Sequence, residues 1–183
     1  MMTLLLTGCG PGRERQSIER WQQRLSAAEE ICCEAEITAS AGEEADSFCV
    51  QLCRHGEETT VVVTAPETIE GVSFRKTGAG ESLEYDGLIL AFSPAVQRTA
   101  PCEGGILLLE TLAEGYLTST GTDGEYRTAE LIGPAGENVC VWLTESCEPV
   151  YAEIRRGETV ELSLQLKHWE VKDREDTEDR SPG

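Results

Sequence analysis

From Ile31 to Trp169 the chain alternates apolar and polar residues in short runs separated by turn residues. A period of two puts one apolar face on an extended strand, and such runs joined by tight turns fold as an antiparallel meander. Ile31, Cys33, Ala35 and Ile37 alternate with Cys32, Glu34, Glu36 and Thr38. Phe48, Val50 and Leu52 alternate with Cys49, Gln51 and Cys53. Further strands are expected over residues 59–64, 71–76, 81–85, 88–92, 126–132, 139–144, 150–156 and 159–169. Asp86-Gly87 between Tyr85 and Leu88 predicts a type I′ hairpin, and Gly157-Glu158 a type II′ one.

Two helices punctuate the strands. Over residues 14–30, Ile18, Trp21, Leu25 and Ala28 recur at three- and four-residue steps, which makes one apolar stripe. A mid-chain helix is expected over residues 105–118, with Ile106, Leu109, Leu112 and Leu117 buried and Gly115 weakening its end. No βαβ alternation occurs, so the fold class is α+β. About nine or more strands form a curved antiparallel sheet, a half-open β-barrel covered by an N-terminal helix and a mid-chain helix. Trp21, Trp142 and Trp169 fall on periodic elements and are expected as core anchors; the alternative is that they line an apolar groove left by incomplete helix cover.

The first residues concern location. Leu6-Thr7-Gly8-Cys9 follows Leu4-Leu5 and looks like a bacterial lipobox, in which the cysteine takes a diacylglyceryl group and becomes the mature N-terminus. Cys9 is therefore the expected lipidation site, with the start of the leader lying upstream. Residues 1–8 are read as a signal-peptide remnant, 9–13 as a linker, 14–169 as the folded domain and 170–183 as a charged, disordered tail. Two acyl chains anchor stably where one does not, so the protein is placed at the cell membrane, on its extracytoplasmic face. The net charge of -19 argues against nucleic acid and against unaided docking on anionic lipid.

Without Cys9, seven of the eight cysteines remain, an odd number that leaves at least one thiol unpaired or in an intermolecular bond. Aligning the apolar faces of the first two strands sets Cys33 against Leu52, Ala35 against Val50 and Ile37 against Phe48. The same register sets Cys32 against Cys53 on the other face. Opposed residues lie about 4.5–5.5 Å apart, within disulfide reach. Cys32–Cys53 is the expected bridge; the alternative is a set of small buried thiols. Cys140 and Cys147 are a weaker candidate pair. A metal site from Cys49, Cys53 and His55 is disfavoured, because Cys-x3-Cys on a strand spreads its ligands.

Nothing in the chain resembles a nucleophile elbow, a phosphate loop or a paired zinc motif, and its two histidines lie far apart in sequence. No catalytic residue, metal or cofactor is assigned.

The order of elements resembles the LolA/LolB-like superfamily of lipoprotein carriers. Three stretches carry the resemblance. One is the leading helix running into the strand at 31–39. The second is Ala65-Pro66-Glu67-Thr68-Ile69-Glu70-Gly71-Val72 followed by Leu83-Glu84-Tyr85-Asp86-Gly87-Leu88. The third is Val141-Trp142-Leu143, then Pro149, Glu153-Ile154, Gly157 and Val160. The resemblance covers residues 14–169 and extends to Cys-anchored clostridial lipoproteins. It implies an incomplete barrel plugged by helices, whose hollow accepts acyl chains. Family carriers line that hollow with aromatics, whereas this chain has ten Phe, Trp and Tyr in all. The expected function is a non-catalytic, lipid-anchored protein binding an acyl chain or lipoprotein segment in a barrel groove, with the contacting residues unassigned. The alternative is an interaction scaffold or regulator of a cell-envelope or spore-associated enzyme.

Overall fold

The computed structural model describes residues 11–41, 44–92, 101–134 and 136–174. Helix α1 (Pro11–Ala27) leads into strands β1 (Glu30–Ala41), β2 (Glu44–His55) and β3 (Glu58–Ala65). A short 3-10 turn (Glu67–Ile69) precedes β4 (Ser73–Thr77), β5 (Gly80–Tyr85) and β6 (Leu88–Phe92). Helix α2 (Pro101–Glu114) follows, then β7 (Tyr116–Asp123), β8 (Tyr126–Ile132), β9 (Asn138–Leu143), β10 (Pro149–Arg156) and β11 (Thr159–Lys172).

The eleven strands form one antiparallel sheet in the order β6-β5-β4-β3-β2-β1-β11-β10-β9-β8-β7. The first and last strands of the chain pair at its centre. β6 and β7 are consecutive in sequence yet lie at opposite edges, so the barrel is unclosed. The connection from one edge to the other contains α2. That path takes α2 across the apolar face, where it packs on β1, β2, β3, β4, β8 and β10. An α+β half-open barrel with a leading and a mid-chain helix is therefore the observed architecture.

The turns follow their residues. Asp86 and Gly87 both have positive φ, 49° and 76°, as a type I′ hairpin demands. Gly157 takes φ 60° between the paired Arg156 and Thr159. Bulges interrupt the pairings of β1 with β11, β2 with β3, β7 with β8, β9 with β10 and β10 with β11. Each extra residue bends its strand and adds twist, which curls a sheet this wide around its helices.

α1 buries Ile18 and Leu25 as expected, with Trp21 packed at the margin; Ala28 is buried too, but just past the end of the helix at Ala27. α2 is buried nearly all round: Leu108, Leu109, Leu112 and Thr111 are inaccessible, the pattern of a helix enclosed by a core. Gly104 and Gly105 let it sit against the sheet. A Cβ on Gly105 would lie 2.4 Å from Leu52, and one on Gly104 2.4 Å from Leu162.

Several boundaries differ from expectation. α1 begins at Pro11, inside the expected linker, because proline suits the first helical turn. The mid-chain helix ends at Glu114, and residues 116–118 open a strand that periodicity had assigned to the helix. Gly115 allows the reversal: a Cβ there would meet the Thr111 carbonyl oxygen at 2.4 Å. Leu117 is buried as expected, but from β7. The expected tail also starts too early, since Glu170, Val171 and Lys172 pair with Cys32, Ile31 and Glu30. His168, at φ 52°, sits in the β11 bulge, which shifts the inward face from Leu162, Leu164 and Leu166 to Trp169 and Val171. Trp142 is not a core anchor. Val141 points inward, so its neighbour points out; its indole N–H donates to Asp123 at 2.9 Å, and its ring meets Tyr151 edge-on at 5.1 Å.

Candidate binding surface

The helix-covered face is not covered evenly. One row of inward residues runs Val61, Phe74, Leu83 and Leu90 across β3 to β6. Val61 is buried under α2, Phe74 and Leu83 are half-buried, and Leu90 is 47% exposed. In the next inward row Tyr85 opposes Leu88, and they are 44% and 62% exposed. Ile89, on the opposite face of the same strand, is 64% exposed. β6 thus presents apolar side chains on both faces along an edge that no described strand pairs. Exposed edges of this kind are templates for pairing with another chain.

Under α2 there is little room. A recess lined by Phe74, Glu81, Glu103, Ile106, Leu107 and Glu110 has a volume of about 20 Å³, space for about one water molecule. Buried core side chains pack between α2 and the sheet around it. An acyl chain does not fit that recess.

A charged row closes the C-terminal half of α2 onto the sheet. Arg54, Thr59 and Lys76 are neighbours across β2, β3 and β4 on the inward face. Glu110 and Glu114 lie one turn apart on α2. Lys76 donates to Glu110 at 2.7 Å and Arg54 to Glu114 at 2.6 Å. Arg54 is nearly buried, its side chain 11% exposed, so the carboxylate supplies the compensation a desolvated guanidinium needs. Gln22 of α1 adds a bond to the Gly115 carbonyl at 2.6 Å. These residues were missed from sequence. The available signal was parity: Arg54 continues the inward series Val50, Leu52, so a charge there requires a partner.

Cys9 lies outside the described residues. Cys32 and Cys53 face each other in the register above and are joined as a disulfide, with Cα atoms 4.2 Å apart, on the face away from α2. The bridge is therefore not part of the apolar wing. Cys140 and Cys147 are both free and buried. Burial pushes the Cys33 thiol up to about 12 and those of Cys102 and Cys140 to about 11. Cys53 is used by Cys32, so the set Cys49, Cys53 and His55 has lost a ligand, and no metal-binding cluster occurs among the described residues. His55 and His168 sit on the surface, 3.8 and 3.9 Å from Glu30 and Glu34.

No protein-family model matches the sequence, and no curated protein matches it. Solved structures do. A LolA superfamily protein from Nitrosomonas europaea aligns over 88% of this chain and 93% of its own, at 12% identity and a TM-score of 0.51. A putative outer membrane lipoprotein-sorting protein domain from Vibrio parahaemolyticus aligns over 86% and 93%, at 11% identity and 0.49. The structure of the CwlD amidase from Clostridioides difficile in complex with the GerS lipoprotein aligns over 98% and 100%, at 12% identity and 0.37. The first of these establishes that the chain has a LolA-like fold.

Proposed function

We propose that this is a non-catalytic, lipid-anchored extracytoplasmic binding protein that uses the β5–β6 wing of its half-open barrel to hold an apolar segment of another envelope protein. The supporting observation is the edge strand β6, with Leu88 and Leu90 exposed on one face and Ile89 on the other. Covering these three side chains is worth about 4 kcal/mol at their present exposure. An extended partner would add main-chain hydrogen bonds along the free edge. A peptide suits this surface better than an acyl chain, because the recess between Phe74 and Ile106 beside α2 holds about 20 Å³.

The acyl-chain reading keeps one point in its favour: the row Phe74, Leu83, Leu90 continues from the α2 interface into the open wing. Taking a lipid inside requires α2 to lift and the pairs Lys76–Glu110 and Arg54–Glu114 to part. A photo-crosslinking residue at position 89, in the lipidated protein in native envelopes, separates the readings. A defined protein adduct that Leu88→Lys/Leu90→Lys removes, at unchanged melting temperature, supports the peptide reading. An adduct to phospholipid alone, with lipid released in native mass spectrometry, supports the other. No adduct of either kind overturns both.

A further inference from the structure

We infer that the outward ridge of α1 docks on an anionic lipid surface and sets how the barrel stands on the membrane; this rests on the proposed anchoring at Cys9. The net charge of -19 is not spread evenly. α1 holds Arg13, Arg15, Arg20 and Arg24 against Glu14 and Glu19, leaving 11 basic and 32 acidic residues in the rest of the chain. The helix is locally cationic on an acidic body.

Its exposed positions include Arg13, Gln16, Arg20, Gln23 and Ala27. Their steps of three and four residues place them on one ridge, opposite the buried Ile18 and Leu25. That ridge carries no carboxylate. The other two arginines are engaged: Arg15 with Glu19 and the Leu117 carbonyl, Arg24 with both oxygens of Asp173. Arg20 reaches the carbonyl and side-chain amide of Gln16. Among the described residues no carboxylate pairs with Arg13 or Arg20. Glu19 flanks the ridge and is bound to Arg15, while Glu14 lies on the side of the buried Ile18 and Leu25; both are half-buried.

Position in the chain selects the occupant. Pro11 follows Cys9 by two residues, which span at most about 7 Å. A lipid on Cys9 therefore brings the start of α1 to the headgroups. The acidic remainder repels an anionic leaflet, but that repulsion is screened over about 10 Å at 0.1 M salt, so the surface in contact decides orientation. An arginine at an anionic surface is worth about fivefold, so Arg13 and Arg20 together favour the ridge-down orientation by about 25-fold.

The test uses lipidated protein carrying Cys49→Ser and Gln23→Cys, labelled at position 23 with an environment-sensitive dye. Cys49 is the one exposed free thiol among the described residues, so this removes competing label. On phosphatidylglycerol vesicles the dye emission should shift to the blue relative to phosphatidylcholine vesicles. The shift should vanish in about 1 M salt and in Arg13→Glu/Arg20→Glu. Equal emission on both vesicles, a shift that survives charge reversal, or one that appears only when envelope proteins are added overturns the proposal; the last would favour an acidic protein partner. Flotation with phosphatidylcholine vesicles reports the anchor separately. If the protein does not float there, the anchoring reading fails. Ridge docking is then decided by flotation with phosphatidylglycerol vesicles alone, and its absence overturns docking as well.

Discussion

Replacing both Cys32 and Cys53 by alanine frees a covalent loop of sequence separation 21 across the β1–β2 hairpin. For a loop of about that length the chain-entropy relation gives about 11 cal/mol/K, or about 3 kcal/mol at 25 °C. The two strands are also paired along their length, and a hairpin that persists in the unfolded chain lowers this figure, so about 2–3 kcal/mol is expected. For a chain of this size that lowers the melting temperature by about 4–12 °C. The assay is urea unfolding followed by tryptophan fluorescence, on oxidised and reduced wild type and on the double variant. Reduction should lower the wild-type midpoint and raise its denaturant dependence, because the opened unfolded chain exposes more surface. The variant should match reduced wild type and ignore reductant. Coincident oxidised and reduced curves, or peptide mapping that finds both thiols free after oxidising purification, would refute the reasoning.

Four further outcomes follow from the core and the α2 contacts. Glu114→Ala should cost about 1–2 kcal/mol, since it leaves the nearly buried Arg54 unpaired, and adding Arg54→Met should recover part of the loss in a double-mutant cycle. Leu109→Ala, at a position with no exposure, should cost about 2–5 kcal/mol by denaturant unfolding. At pH 8, iodoacetamide should modify Cys49 before Cys33, Cys102 or Cys140, as read by mass mapping, because the last three are held protonated. Their folded values lie above the ordinary 9.0 of the unfolded chain. The stability they contribute is therefore full below about pH 9 and falls as pH climbs toward 11–12. A rise in the unfolding midpoint over that window would contradict the assignment.

Pairing within the sheet was legible to the residue where two alternating strands were joined by a short connection. The match of Cys33 with Leu52, Ala35 with Val50 and Ile37 with Phe48 leaves one register, because a slip of one residue would turn every apolar side chain outward. Asp86-Gly87 worked for a similar reason: positive φ at two successive residues suits few sequences. β7 was missed because Leu109, Leu112 and Leu117 continue a helical spacing past Gly115. The contrary signals were the β-branched run at Thr118, Thr120 and Thr122 and the Asp123-Gly124 turn. The last strand was cut short because its bulge changes the parity of the apolar face at His168.

The candidate surface was less legible than the fold. Alternation marks Leu88 and Leu90 as one face of a strand, but does not say whether anything covers that face. Coverage depends on the path of α2 between the two sheet edges. In the same way, the arginines of α1 are visible in sequence, while the contacts that occupy Arg15 and Arg24 and leave Arg13 and Arg20 outward come from β7 and the residue after β11.

The sequence by itself determined the α+β class, the antiparallel meander, the β1–β2 register with its opposed cysteines, and a helix with one buried stripe. These depend on periodicity and turn chemistry, which act between residues near one another along the chain. Only the tertiary structure decided that α2 packs into the core, that the β5–β6 wing is bare and that α2 is latched by Arg54 and Lys76. Those outcomes depend on how distant elements share one apolar face, and α2, with its two glycines against the sheet, is long enough to cover only part of it.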